Sequence, residues 1–211
     1  MTHPARALSW SIGALVVAVV LAWTFPLWNY RIPYAAAETL SYALTWGPLV
    51  IALAATAGFW RRTAAFRLPD LGLGLVIGVV ARAVGIVIEF ASSGRMPGRA
   101  VVFGQVDATY VVTAVVLPIV VAPLIEEPFF RGLLQGSLDR VAGRTTSLAL
   151  ASLAFALVHV IGAGWSWTLV LTLLVYAVLA GLATRRTGRI GAAVVAHATF
   201  NAVGVLISWP W

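Results

Sequence analysis

The apolar residues of this chain come in long unbroken blocks, and the polar ones collect in short stretches between them. The blocks run roughly over 8–28, 38–60, 70–91, 108–137, 147–163, 166–184 and 190–209. Each is close to or longer than the ~20 residues a helix needs to cross the hydrocarbon of a bilayer. None shows the alternation of a half-buried strand. The pattern predicts an all-α fold, a polytopic transmembrane helical bundle of about seven spans. Trp28, Trp60, Trp165, Trp167, Trp209 and Trp211 stand at block ends, where amphipathic rings favour the headgroup level. No long soluble or low-complexity stretch interrupts the blocks. Residues 1–107 are therefore read as N-terminal transmembrane helices of unassigned role, and residues 108–211 as a core in which the chemistry lies.

The fourth block departs from the pattern in two ways. It is too long for one straight crossing, and it contains Pro118, Pro123 and Pro128. Proline removes a helical hydrogen bond, and irregular backbone inside a membrane is tolerated where it lines a cavity. Between the prolines lie two adjacent carboxylates, Glu126 and Glu127. An acidic residue at mid-membrane depth costs roughly 2.5–3.5 kcal/mol on insertion scales and marks a functional site by default.

Composition agrees with this picture. The chain is 61% hydrophobic and 10% charged, against about 45–50% and 25% for soluble domains. It has no cysteine, which excludes disulfides and thiolate metal sites. The net charge of +7 comes with no basic stripe interleaved with aromatics, so no nucleic-acid partner is expected. All basic residues are arginine, and their placement sets the orientation. One alternate set of loops carries nine (Arg6, Arg61, Arg62, Arg67, Arg140, Arg144, Arg185, Arg186, Arg189) and the other three (Arg31, Arg95, Arg99). The excess places the N-terminus in the cytoplasm. Ala35–Ala37 offers a signal-peptidase-like site, but it lies well past the first block and beyond Arg31. The first block is therefore read as a retained span.

Three local spacings carry candidate chemistry. Glu127 and Arg131 are four apart, as are Phe155 and His159, and His197 and Asn201. Each pair shares one helix face, while Glu126 is turned about 100° away from Glu127. Counted from the cytoplasmic ends of their blocks, Glu126 and His159 both lie ~18 Å deep, His197 ~10 Å and Asn201 ~16 Å. Three helices thus bring polar groups to overlapping depth. A carboxylate and an imidazole together can deprotonate water. A histidine and an asparagine on one face can donate to a developing oxyanion. Arg131 would hold Glu127 as a fixed anion. The set describes water-mediated cleavage of an amide. Outside it, Arg82 and Glu89 lie seven apart on the third block and are expected to form an ion pair within the span.

These motifs, with the flank Pro-Leu-Ile-Glu-Glu-Pro-Phe-Phe-Arg-Gly-Leu-Leu-Gln-Gly, resemble the three ordered motifs of the CAAX protease and bacteriocin-processing family, also called the Abi family. The resemblance covers about residues 118–205; residues 1–107 match nothing specific. It implies a glutamate-dependent intramembrane endopeptidase. Glu126 would activate water with His159 assisting, and His197 and Asn201 would form the oxyanion hole. Glu127 and Arg131 would orient the site, and Phe155 would pack beside His159. The implied substrate is a peptide or protein, prenylated or membrane-embedded, and the implied location a bacterial plasma membrane. No cofactor is expected. The alternative is Zn²⁺ held by Glu126, His159 and His197, ligand types suited to an open zinc site. A non-proteolytic scaffold or bacteriocin self-immunity protein would share every motif, whereas the full residue set favours the protease. A proton-coupled transporter would show related halves, which are not detected.

Overall fold

The computed structural model describes residues 3–96, 107–163 and 165–209; Arg99 and Trp211, used above for orientation and interface placement, lie outside them. Seven main helices follow in order: α1 Pro4–Thr24, α2 Tyr34–Ala55, α3 Leu68–Ser93, α4 Ala108–Val141, α5 Arg144–Ala163, α6 Trp167–Thr187 and α7 Gly191–Ser208. No strand occurs among the described residues. Six of these helices, all but α2, are long and apolar enough to cross a membrane. The protein is an integral membrane protein with an all-α polytopic bundle.

The second block, expected as a span over 38–60, is bent; its two helical parts are long and apolar enough only together, and make a seventh span if read as one. After Ala55 the chain turns by 72° into a short helical segment over 57–63. Trp60 closes the corner, its indole N–H donating to the Leu53 carbonyl at 2.8 Å.

Local chemistry sets the helix ends. Asp107 Oδ1 accepts from Tyr110 N at 2.8 Å to start α4. Ser166 Oγ accepts from Leu169 N at 3.3 Å to start α6. Gly94 and Gly188 end α3 and α6 at φ of +67° and +68°, a left-handed turn that favours glycine.

Small residues bring α3 onto α7. A Cβ on Gly74 would stand 2.5 Å from Val195 Cβ, and one on Gly78 2.5 Å from Thr199 Cβ. Only glycine permits that approach, the device by which membrane helices pack closely. Asp70 ties the foot of α3 to the turn before α7. It accepts from Arg189 Nη2 at 2.8 Å and Nε at 3.2 Å, and from Arg67 N at 2.8 Å. Arg82, by contrast, forms no ion pair with Glu89. Its Nε donates to the Phe200 carbonyl at 3.0 Å, and its guanidinium lies 3.7 Å over the Phe200 ring. The intimate α3–α7 contact brings Phe200 within reach and draws the side chain sideways, away from its own helix.

The three prolines of α4 do not break it. The backbone widens to π-helical turns over Val111–Val121 and again over Pro128–Gln135, with an α-helical segment Ala122–Glu127 between. The Ala122 N–H bonds to the Leu117 carbonyl, five residues back. In that register position 118 should donate to Thr113 and position 123 to Pro118. Both donors are prolines and have no N–H. Side chains from other helices take their place: the Tyr42 hydroxyl donates to the Thr113 carbonyl at 2.8 Å, and Asn201 Nδ2 to the Pro118 carbonyl at 2.7 Å. The five-residue spacing of the prolines thus turns two backbone carbonyls outward as docking points for α2 and α7.

Candidate active site

The Ala122–Glu127 segment of α4 presents its two carboxylates in different directions. Glu126 points into a cavity of about 530 Å³. Glu127 lies behind that cavity's wall and is fully buried. His159 from α5, and His197 and Asn201 from α7, line the same cavity as Glu126. Five of the sequence-predicted residues therefore meet at one space: Glu126, Phe155, His159, His197 and Asn201. Glu127 and Arg131 stand outside it as supports.

The support is built around Glu127. Its Oε2 accepts from Arg131 Nε at 3.1 Å. Its Oε1 accepts from the Tyr176 hydroxyl at 2.8 Å and lies 2.9 Å from His197 Nδ1. The charge of the carboxylate is balanced by Arg131, itself buried and set 5.2 Å over the Phe155 ring. Since a carboxylate only accepts, Nδ1 is the nitrogen of His197 that carries hydrogen toward it. Nε2 is then the remaining atom for chemistry.

The reacting face is built around Glu126. Its Oε1 accepts from the Trp46 indole N–H at 2.9 Å. Its Oε2 lies 3.4 Å from His159 Nε2, at ion-pair distance but without a hydrogen-bond donor of its own. His159 Nδ1 bonds to the Phe155 carbonyl at 2.7 Å. A carbonyl cannot donate, so Nδ1 carries hydrogen and Nε2 is the titrating atom facing Glu126. Phe155 holds the imidazole by a tilted ring contact with centroids 4.4 Å apart. Asn201 spends one amide hydrogen on the Pro118 carbonyl. An amide has two, so the second remains for a ligand.

Sequence reasoning missed three residues here. Tyr176 completes the shell of Glu127, and Trp46 and Tyr42 extend from α2 to Glu126 and to the widened helix. The available signal was weak. Trp46 and Tyr42 lie well inside α2, away from the interface level that tryptophan and tyrosine prefer, so each needs a buried partner for its polar tip. The first two helices therefore wall the cavity, with Leu15 and Ala18 of α1 beside Trp46 and Leu49 of α2.

Among the described residues no group of three or more histidines and carboxylates is gathered as a metal would need.

Residues 108–203 match the family model described as type II CAAX prenyl endopeptidase Rce1-like. No curated protein and no solved structure matches the chain. The matched stretch holds every acidic, histidine and asparagine side chain placed on the site above. Over residues 108–203, a little under half of its length, the chain is thus similar to the Rce1-like type II CAAX prenyl endopeptidases.

Proposed function

We propose that the protein is an intramembrane endopeptidase that cleaves a peptide bond with water activated by Glu126 and His159. The observation that carries this reading is the unspent carboxylate oxygen of Glu126, buried and facing His159 Nε2 at 3.4 Å across a cavity. A water bonded to both atoms from the cavity side gives its proton to the carboxylate–imidazole pair and attacks the amide carbon. The oxyanion that forms is received by the second amide hydrogen of Asn201 and by His197, which Glu127 holds in place. The proton taken from water then passes to the leaving amine. Residues 108–211 supply the reacting groups, and α1 and α2 the wall against which the substrate lies. The apolar part of that wall suits a prenylated or membrane-embedded peptide. We place the N-terminus in the cytoplasm of a bacterial cell and assign no metal.

The test uses purified protein in detergent and a panel of quenched peptides, prenylated and plain, with and without a chelator. Glu126→Gln keeps the size of the side chain and its bond to Trp46 but removes the base. Turnover should fall by about 10²–10⁴-fold while the melting temperature stays close to that of the parent. Cleavage that survives Glu126→Gln overturns the mechanism, and cleavage abolished by chelation overturns the metal-free assignment.

A further inference from the structure

A second cavity, of about 570 Å³, lies on the other side of Asn201 and Pro118. Those two residues line both cavities. At its inner end lies Arg82, in the middle of a span, roughly 21 Å along the helix from Leu68. Its guanidinium is held on three sides. The Phe200 ring lies beneath it, the Phe200 carbonyl takes Nε, and Gly204 lies against its edge. A Cβ on Gly204 would stand 2.6 Å from Nη2, so the absent side chain is what admits the group. Among the described residues Nη1 and Nη2 have no hydrogen-bond or ion-pair partner. An unneutralised guanidinium at this depth is costly, and such a group marks a ligand site by default.

From this geometry we infer that Arg82 binds the C-terminal carboxylate of a peptide lying across Asn201. The planar edge formed by Nη1 and Nη2 matches a carboxylate bidentately. The remaining wall bears Ser166, Thr168, Thr172 and Ser208, with Glu89 beside them. Hydroxyls of this kind suit the amides of a short peptide and not the acyl chains of a lipid. The position relative to the first cavity is also right. Phe200, on which Arg82 rests, stacks on Tyr176 with centroids 5.1 Å apart, and Tyr176 bonds Glu127. A few extended residues, at about 3.3 Å each, reach from Asn201 to Arg82. The inference rests on the peptidase reading: Arg82 reads the chain end on the far side of the bond that Glu126 attacks.

Binding separates the two claims. In Glu126→Gln protein, which binds without cleaving, we would titrate dansyl-Gly-Leu-Val as free acid and as amide, in phosphatidylcholine nanodiscs. The acid should bind about tenfold or more tightly than the amide, and Arg82→Gln should abolish that preference. Should Arg82→Gln fail to fold, Gly204→Ala serves in its place, because its Cβ displaces the guanidinium. Equal binding of acid and amide, no binding of either, or a preference that survives both variants overturns the inference. So does displacement of the acid by nanodiscs containing phosphatidylglycerol, which would make this a lipid phosphate site. Acid preference in a protein that never cleaves would sink the peptidase reading alone. Cleavage without acid preference would sink this one alone.

Discussion

Trp46 gives Glu126 a hydrogen bond that its own helix has no means to supply. The indole N–H fixes Oε1, and the other oxygen is left to face His159. Trp46→Phe removes the donor and keeps the ring packed on Tyr42, whose centroid is 4.8 Å away. A hydrogen bond to a charged acceptor contributes about 1.5–3 kcal/mol. On our mechanism kcat should fall by about ten- to a hundredfold with KM little changed, since the bond orients the base and does not hold substrate. A loss confined to KM would show that Trp46 only shapes the wall. Glu127 and Arg131 are a different kind of pair. Their side chains are fully buried, and removing one partner from such a pair costs about 3–5 kcal/mol because the other charge is left uncompensated. The i,i+4 spacing made that pair legible in the sequence. Nothing in the sequence told which tyrosine and which histidine would join it, because those contacts cross 49 and 70 residues.

At the scale of the element, α4 is where sequence and structure inform each other most. The sequence marked it as too long, rich in proline and cavity-lining. It did not reveal that the prolines fall at the period of a widened helix, a pattern that reads as a kink until the i→i+5 register is seen. Restoring one donor tests the point. Pro123→Ala returns an N–H opposite the Pro118 carbonyl, in competition with Asn201. Turnover should fall by about tenfold as Asn201 loses its anchor and drifts from the oxyanion position, while thermal stability is held or improved because an interior proline is gone. Unchanged turnover would show that Asn201 is positioned by something else. The bend in α2 was also not legible: the apolar block continues to Trp60 while the helix turns at Ala55. Periodicity records which residues are apolar, and the turn depends on where Trp60 finds a carbonyl.

Across the whole molecule, the class of fold was readable, because a bilayer restricts a chain to helices of known length. What was not readable is the share that the first half takes in the site. A search for chemistry in residues 1–107 finds no motif, since Trp46 and Tyr42 act through single hydrogen bonds and the rest through surface shape. Arg82 is a related case. Its spacing from Glu89 named a partner, and the packing of α3 on α7 gave it another. Orientation is a property of this scale too, and the absence of cysteine makes it simple to measure. Ala64 and Ser93 are exposed at opposite ends of α3. With an impermeant maleimide applied to intact cells, Ser93→Cys should label and Ala64→Cys should not. The reverse pattern would invert the topology.

The paired use of proline and side chain has a consequence for how this chain can be inherited. A proline at 118 is sustainable only while position 42 offers a donor, and one at 123 only while position 201 does. Substituting either member alone strands a carbonyl in hydrocarbon or leaves a polar tip without a mate. In the second couple the amide and the carbonyl it reaches lie 83 residues apart in the chain. Either couple can therefore change without loss only if both of its members change together.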